Sequence, residues 1–401
     1  MPDTPLEGIK VISFGTGAVI PDFGKILGEL GADVIKIESR DNPDFMRTIG
    51  PDMNNIAGFN ESNRSKRSFG VNLKTEKGRE LVRELIKTTD IIGENFRGGV
   101  MQSLGLDYEN VRRIKPDIIY LSSQGFGSGG PYSDYQAYGP MLAAASGLLY
   151  LWAHPTDPYP VGANVPLPDH MASKQAVFAV LAALDYRRRT GKGQFIDMSQ
   201  IEVAASLIGD YYLDYTINGR IPKAVGNRSP YAAPHGCYRC KGDDCWCAIS
   251  VFTNDEWQRF CEAIGSPAWT KEARFADTVS RLRNVDELDK LVEEWTIERD
   301  ATEAMNTLQA AGVAAGVCQR SEDTINDPQL KWLNALVEVD HPVAGKRLYP
   351  GIPFRMSGTT LPPSRPAPML GQHTEEICRE MLRLSEDEIA RLKEEKVLET
   401  A

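Results

Sequence analysis

The first third of the chain alternates short apolar runs with stretches of helical periodicity. Ile9–Phe14 is a continuous apolar run of β character, broken by Gly15-Thr16-Gly17. Phe23–Leu30 then places apolar residues at helical spacing, and Asp33–Ile37 reads as a second strand. Ser68–Leu73, Asp90–Ile92 and Asp117–Ser122 read as further strands, with Lys77–Lys87 a helix between them. Strands separated by helices predict an α/β fold with a mostly parallel sheet, covered on its faces.

A longer helix is expected from about Ala172 to Arg188. Its apolar residues Ala176, Phe178, Val180, Leu181 and Leu184 lie on more than one side, which predicts deep burial. Gly191-Lys192-Gly193 supplies the turn that ends it. Beyond residue 222 the character changes. A stretch rich in Pro, Gly, Tyr and Cys precedes two helical segments, Asn254–Gly265 and Glu287–Gly312. The division expected is a large domain over 1–222, a small α+β domain over 223–328, and a C-terminal segment, 329–401, returning to the large domain. In that last segment His341–Arg365 is Pro/Gly-rich and extended, and Ser385–Lys396 is a solvated helix.

Composition narrows the function. The chain has 401 residues and a net charge of −10, which argues against nucleic-acid partners, since these call for a basic face. A local cluster of Arg and Lys on such a protein can still hold an anion. The N-terminus lacks the basic and apolar regions of a signal peptide, and no apolar run is long enough to span a membrane, so a cytoplasmic protein without membrane contact is expected. Four of the seven cysteines cluster as Cys237, Cys240, Cys245 and Cys247. Cys237-x2-Cys240 could open a zinc site, but Cys245 and Cys247 alternate along a β-like run and read better as reduced core residues, so no metal is expected.

Two segments bear on chemistry. Gly15-x-Gly17, followed by a helix and by Glu38 at the end of the next strand, imitates a dinucleotide fingerprint. The third glycine, which lets helix and strand pack closely, is replaced by Ile20. Asp169 stands in Val165-Pro-Leu-Pro-Asp169-His, directly before the apolar helix. A carboxylate there could be a nucleophile; from the residues alone a helix N-cap, which Pro168 before it and the helix after it would suit, is the plainer reading.

Several segments taken in order resemble the family III CoA-transferases and the related α-methylacyl-CoA racemases. They are Leu30-Gly-Ala-Asp33-Val-Ile-Lys36-Ile-Glu38, Asn63-Arg-Ser-Lys66-Arg67, Glu94-Asn95-Phe96-Arg97-Gly98, Gly125-Phe-Gly127-x-x-Gly130-Pro131, Thr190-Gly-Lys-Gly193-Gln-Phe-Ile-Asp197 and Leu370-Gly-Gln-His-Thr374. The resemblance covers essentially the whole chain. It implies a large Rossmann-like domain, a smaller α+β domain and an interlocked dimer, either a homodimer or a heteromer with a paralogous subunit. It implies no permanently bound cofactor: a coenzyme A thioester is the substrate, together with a carboxylic acid. Asp169 matches the family nucleophile, which would attack an acyl-CoA to give a mixed anhydride and then an aspartyl-CoA thioester. Asn95 and Arg97 match a CoA-contacting segment, and Lys66, Arg64 and Arg40 are further candidates for the CoA phosphates.

The sequence departs from the family pattern in ways that bear on substrate. Pro168 precedes the nucleophile, and Ser173 stands where a glycine is usual. The loop Gly226–Pro234 is stiffer than the glycine-rich loop of formyl-CoA:oxalate members, and Ala18 and Thr48 or its neighbours take the places of their Gln and Trp. An acceptor bulkier than oxalate is therefore expected, aromatic or branched and benzylsuccinate-like, with Tyr138, Tyr231 and Arg228 as candidate contacts and succinyl-CoA as donor. The second base of the racemases corresponds to Gly139. An acyl-CoA racemase and a catalytically silent subunit of a heteromer are the alternatives.

Overall fold

A computed structural model of the chain describes residues 4–157 and 165–401. The chain divides into two compact units. One comprises Met1–Leu149, Gly162–Arg220 and Lys331–Ala401; the other comprises Tyr150–Val161 and Ile221–Leu330.

The first unit is built on a seven-stranded sheet. Its strands are β1 (Lys10–Ser13), β2 (Asp33–Glu38), β3 (Arg67–Val71), β4 (Ile91–Glu94), β5 (Ile119–Gln124) and β6 (Gln194–Ser199), all parallel. The two-residue strand Leu398–Glu399 closes the β3 edge and runs antiparallel to it. From that edge the order is Leu398–Glu399, β3, β2, β1, β4, β5, β6. This is the doubly wound arrangement of Rossmann-like sheets.

Successive residues of a strand face opposite sides. Val11, Val34 and Ile91 pack with Phe23 and Leu27 of the helix Val19–Glu29 and with Ala176 and Val180 of the helix Leu167–Thr190. Their neighbours Ile12, Ile35 and Ile92 pack on the other face with Leu81 and Leu85 of the helix Glu76–Ile86 and with Ile377. Both faces are apolar because both are covered, hence the nearly unbroken apolar runs in the sequence.

The helix carrying Asp169 begins earlier than its apolar spacing indicates, at Leu167, and ends at Gly191 in a left-handed conformation. Its expected deep burial needs correction. Ala172, Ala176, Val180 and Ala183 are buried, but Phe178 is 72% exposed and Leu181 is also exposed. Small residues seat the helix on the sheet, and its large apolar ones lie on the outer stripe. The helix Gly209–Asn218 has no buried residue, although it carries Tyr211, Tyr212, Leu213, Tyr215 and Ile217.

The second unit holds a three-stranded antiparallel sheet, β7 (His235–Arg239), β8 (Trp246–Ser250) and β9 (Ala314–Val317), with β8 central. Trp257, Phe260, Phe275, Leu288, Val292 and Leu308 form its core with Cys240 and Cys247, and Cys245 packs at the margin. The expected helical stretch 287–312 is two helices, Val285–Thr296 and Ala301–Ala310. The break falls where Asp300 caps the second through its side chain. In the C-terminal segment the extended region includes an antiparallel hairpin, β10 (Leu336–His341) and β11 (Gly345–Pro350).

Candidate active site

The strand order reverses between β1 and β4: the chain winds outward from β1 through β2 and β3 in one direction, and from β4 through β5 and β6 in the other. Loops leaving two such strands diverge and open a crevice at the carboxyl end of the sheet. A cavity of about 1200 Å³ lies there, lined by Phe14–Ala18 after β1, Ser39 and Asn42–Met46 after β2, Asn95–Arg97 after β4, and by Tyr138, Asp169 and His170.

Its floor is a buried polar frame. Lys36 projects from β2, and its Nζ donates to Asp44 Oδ2 and to Gly15 O, each at 2.8 Å. Asp44 Oδ1 accepts from Gly17 N at 3.0 Å and from Met46 N at 3.0 Å. Burial alone would raise the Asp44 carboxyl; Lys36 and these amides outweigh it and hold it below the ordinary range. Glu38, the acid that imitated a ribose ligand, is engaged in a two-pronged pair with Arg47 at 2.8 and 2.9 Å and also accepts from Ser68 Oγ. The Arg47 guanidinium lies 3.7 Å from the Phe59 ring centre. Gly15 has its own packing reason: a Cβ there would overlap the Ile20 side chain, so the bulk missing from one position of the imitation fingerprint occupies another.

Asp169 lies in the first turn of its helix, not at the cap. The cap position is Pro166, which offers no side-chain hydrogen bond, so the N-cap alternative does not describe this residue. Asp169 Oδ2 is buried with no hydrogen-bond partner among the described residues. Burial pushes its carboxyl up to about 6, against the opposing influence of His170 and of its own amide. Its close neighbour is Gly139, where any Cβ would overlap Asp169 Oδ2 and press on Pro166. Ser173, at the usual glycine place, donates to Asp22 Oδ2 at 2.7 Å and to His170 O at 2.8 Å, fastening the turn that carries Asp169 to the helix Val19–Glu29.

The other residues singled out from sequence fall in several places. Asn95, Arg97 and Tyr138 line the cavity with Asp169. Arg97 is exposed and its guanidinium has no ion-pair partner among the described residues. It also borders, with Gln124, a second cavity of about 300 Å³ that contains Glu94, whose buried carboxyl is pushed up to about 7. Asn95 uses its side-chain amide on Thr16. Arg64 and Lys66 are not among the described lining residues. Arg64 is buried against Glu29 at 2.7 Å and donates to Pro350 O. Lys66 donates to Pro21 O, Ser62 O and Asn63 Oδ1, and burial, with Lys36 nearby, pushes its ammonium well below the ordinary range. Arg40 is exposed and donates to Thr400 O at 3.0 Å. Tyr231 and Arg228 belong to the second unit, where Tyr231 is exposed and Arg228 pairs with Asp286 and Asp289. Ala18 lines the cavity; in the stretch around Thr48 it is its neighbours Phe45 and Met46 that do so.

Lys36, Asp44, Lys74 and His170 line the cavity without having been singled out. Lys36 left a signal, being a charge within the apolar run Val34-Ile35-Lys36-Ile37. His170, the next residue after Asp169, borders the same space. Among the described residues there is no cluster of His, Cys, Asp or Glu arranged to hold a metal, and no helix long and apolar enough to cross a membrane.

Comparison with known proteins agrees with this architecture. The family model for CoA-transferase family III matches residues 6–374. A succinate–glutarate CoA-transferase of Agrobacterium fabrum is 32% identical over 94% of this chain and 96% of its own length. A protein of Mycobacterium tuberculosis named as a probable CoA-transferase is 34% identical over 98% of this chain, which spans 50% of that relative's length. The crystal structure of a CAIB/BAIF family protein from Brucella suis superposes with a TM-score of 0.87 at 32% identity, covering 95% of this chain and all of that one. The chain belongs to the family III CoA-transferases.

Proposed function

We propose that the chain moves CoA from an acyl-CoA donor to a carboxylic acid through covalent intermediates on Asp169. The observation that carries this is the buried Oδ2, without a hydrogen-bond partner among the described residues, of a carboxylate bordering a cavity at the topological switch point. Desolvation leaves the ionised carboxylate reactive, and above about pH 6 it is ionised. Asp169 attacks the thioester carbonyl. The C–O bond forms, the C–S bond breaks, and CoA leaves as its thiolate. The thiolate then attacks the Asp169 side of the anhydride, releasing the donor acid and leaving an aspartyl-CoA thioester. The acceptor carboxylate attacks that thioester, and the returning thiolate takes the acceptor acyl group and frees Asp169.

Arg97 and Lys74 supply positive charge on the cavity wall for the CoA phosphates, with Asn95 holding the loop that presents Arg97. Phe45 and Tyr138 meet edge to face at 6.1 Å on the same wall. That aromatic wall favours an acceptor with an apolar body, bulkier than oxalate, with succinyl-CoA as donor. Two interlocked copies of the chain form the working enzyme in this reading, supported by the outward-facing Phe178 and Leu181 and by the exposed aromatic helix Gly209–Asn218.

An assay that does not require the acceptor tests this. Succinyl-, glutaryl- and acetyl-CoA are each mixed with their own isotope-labelled acid, and label entering the thioester is followed. Exchange with at least one pair, lost in Asp169→Ala, is expected. Undiminished exchange in Asp169→Ala would overturn the assignment.

A further inference from the structure

Between the helices Val19–Glu29 and Leu167–Thr190 lies a buried carboxylate that the reaction above does not use. Asp22 is 3% exposed. Lys25 Nζ lies 2.6 Å from it, Ser173 Oγ donates to it at 2.7 Å, Lys174 Nζ lies at 3.0 Å and His170 Nδ1 at 3.6 Å. Burial works against its charge, but these partners, His170 foremost, outweigh it and hold the carboxyl far below the ordinary range. The lysines and the serine do what a buried carboxylate requires. His170 is different, because the residue whose Nδ1 approaches Asp22 also lines the cavity that Asp169 lines.

Successive side chains in a helical turn are about 100° apart, so two neighbours can both border a space that wraps the helix end. The imidazolium has two N–H donors. With Nδ1 facing Asp22, Nε2 lies on the opposite edge of the ring. When doubly protonated, the ring can hold one N–H toward Asp22 and offer the other to a developing oxyanion. A carboxylate behind an imidazole fixes its orientation, as in other acyl-transfer sites.

We infer that His170 is a second catalytic residue of this site and that Asp22 is its positioning residue. Resting on the Asp169 reading above, the step is as follows. Asp169 attacks the thioester carbonyl carbon and the carbonyl π pair moves onto oxygen. His170 Nε2–H donates a hydrogen bond to that oxyanion. On collapse the C–S bond breaks and its pair leaves on sulfur as thiolate. The proton stays on His170 throughout, so the same donor serves each later addition.

The test uses the label exchange of an acid into its own CoA thioester, with the full-length chain. His170→Ala is expected to lower the exchange rate about a hundredfold, with the dissociation constant of the acyl-CoA changed less than twofold. Added imidazole is expected to restore at least a tenfold gain, saturably. His170→Gln, a neutral donor, should fall between the two. Asp22→Asn should lower the rate constant with little change in KM. Exchange at the unaltered rate in His170→Ala, while Asp169→Ala is inactive, would overturn this inference alone. So would a loss that imidazole does not restore and that comes with a lowered melting temperature, since that marks a purely structural histidine. Exchange persisting in Asp169→Ala would overturn the nucleophile itself.

Discussion

Thr16 and Asn95 exchange two hydrogen bonds: Thr16 N donates to Asn95 Oδ1 at 3.0 Å, and Asn95 Nδ2 donates to Thr16 O at 2.9 Å. The loops they tie follow β1 and β4, the two strands on either side of the switch point. One asparagine thus fixes the width of the crevice that the fold opens. Asn95→Ala should lower stability by about 1–3 kcal/mol, because it leaves the Thr16 groups partly unpaired. It should also raise KM for acyl-CoA, since Arg97 rides on the same loop. Denaturant unfolding and steady-state kinetics check the two effects.

On the proposed reading the cations separate into binding and building roles, and substitutions should divide them. Arg97→Ala should raise KM for acyl-CoA about tenfold or more, the worth of a charge-assisted hydrogen bond, with an unchanged melting curve. Arg64→Ala should lower stability by about 3–5 kcal/mol, because it strands Glu29 as a buried charge. Calorimetry on both variants, beside KM, tests the division.

Gly139→Ala should leave the fold intact and lower activity about a hundredfold, the cost of displacing a reacting group by about an ångström. The added methyl would occupy the position of Asp169 Oδ2. A crystal structure of the variant showing a rotated Asp169, with a melting temperature close to that of the parent, is the expected outcome.

Two buried carboxyls make stability depend on pH in a definite direction. Glu94 is pushed up to about 7 and Asp169 to about 6, both by burial. A raised folded-state value means that between the unfolded and folded values the native state holds more protons than the unfolded one, so stability falls as pH rises through that window. Glu94→Gln and Asp169→Asn should each be more stable than the parent at pH 8, by up to about 3 kcal/mol, with the gain vanishing near pH 4. His341 and His373, held low by burial, act in the opposite sense near pH 6. The difference between parent and variant isolates each carboxyl from them. Asp169→Asn would then gain stability as it loses activity.

Local pattern carried the buried strands but not the edges of the sheet. β1, β2, β4 and β5 are buried nearly throughout, and their apolar runs are plain in the sequence. β6 alternates exposed and half-buried residues, and Leu398–Glu399 is two residues long and defined by its pairing with Val71 and Gly70. Neither offers an apolar run to detect. The same limit applies to the cations. Arg64 and Arg97 look alike as charges in glycine- and polar-rich loops, yet Arg64 is claimed by Pro350 and Ser364, about 300 residues away in sequence. The outer stripe of the Asp169 helix read as core because periodicity shows that a face is apolar, not what covers it. The approach of His170 to Asp22, on another helix, leaves no mark in the sequence around either residue.

The central claim is that Asp169 carries the acyl group and then CoA. It is tested most directly by incubating the purified protein with succinyl-, glutaryl- and acetyl-CoA in turn, quenching with hydroxylamine or borohydride, and mapping modified residues by peptide mass spectrometry. A hydroxamate or reduced side chain at Asp169, absent from Asp169→Ala and from controls without acyl-CoA, is the predicted result. An unmodified Asp169 in a protein that binds these thioesters and exchanges label between acid and thioester would contradict it.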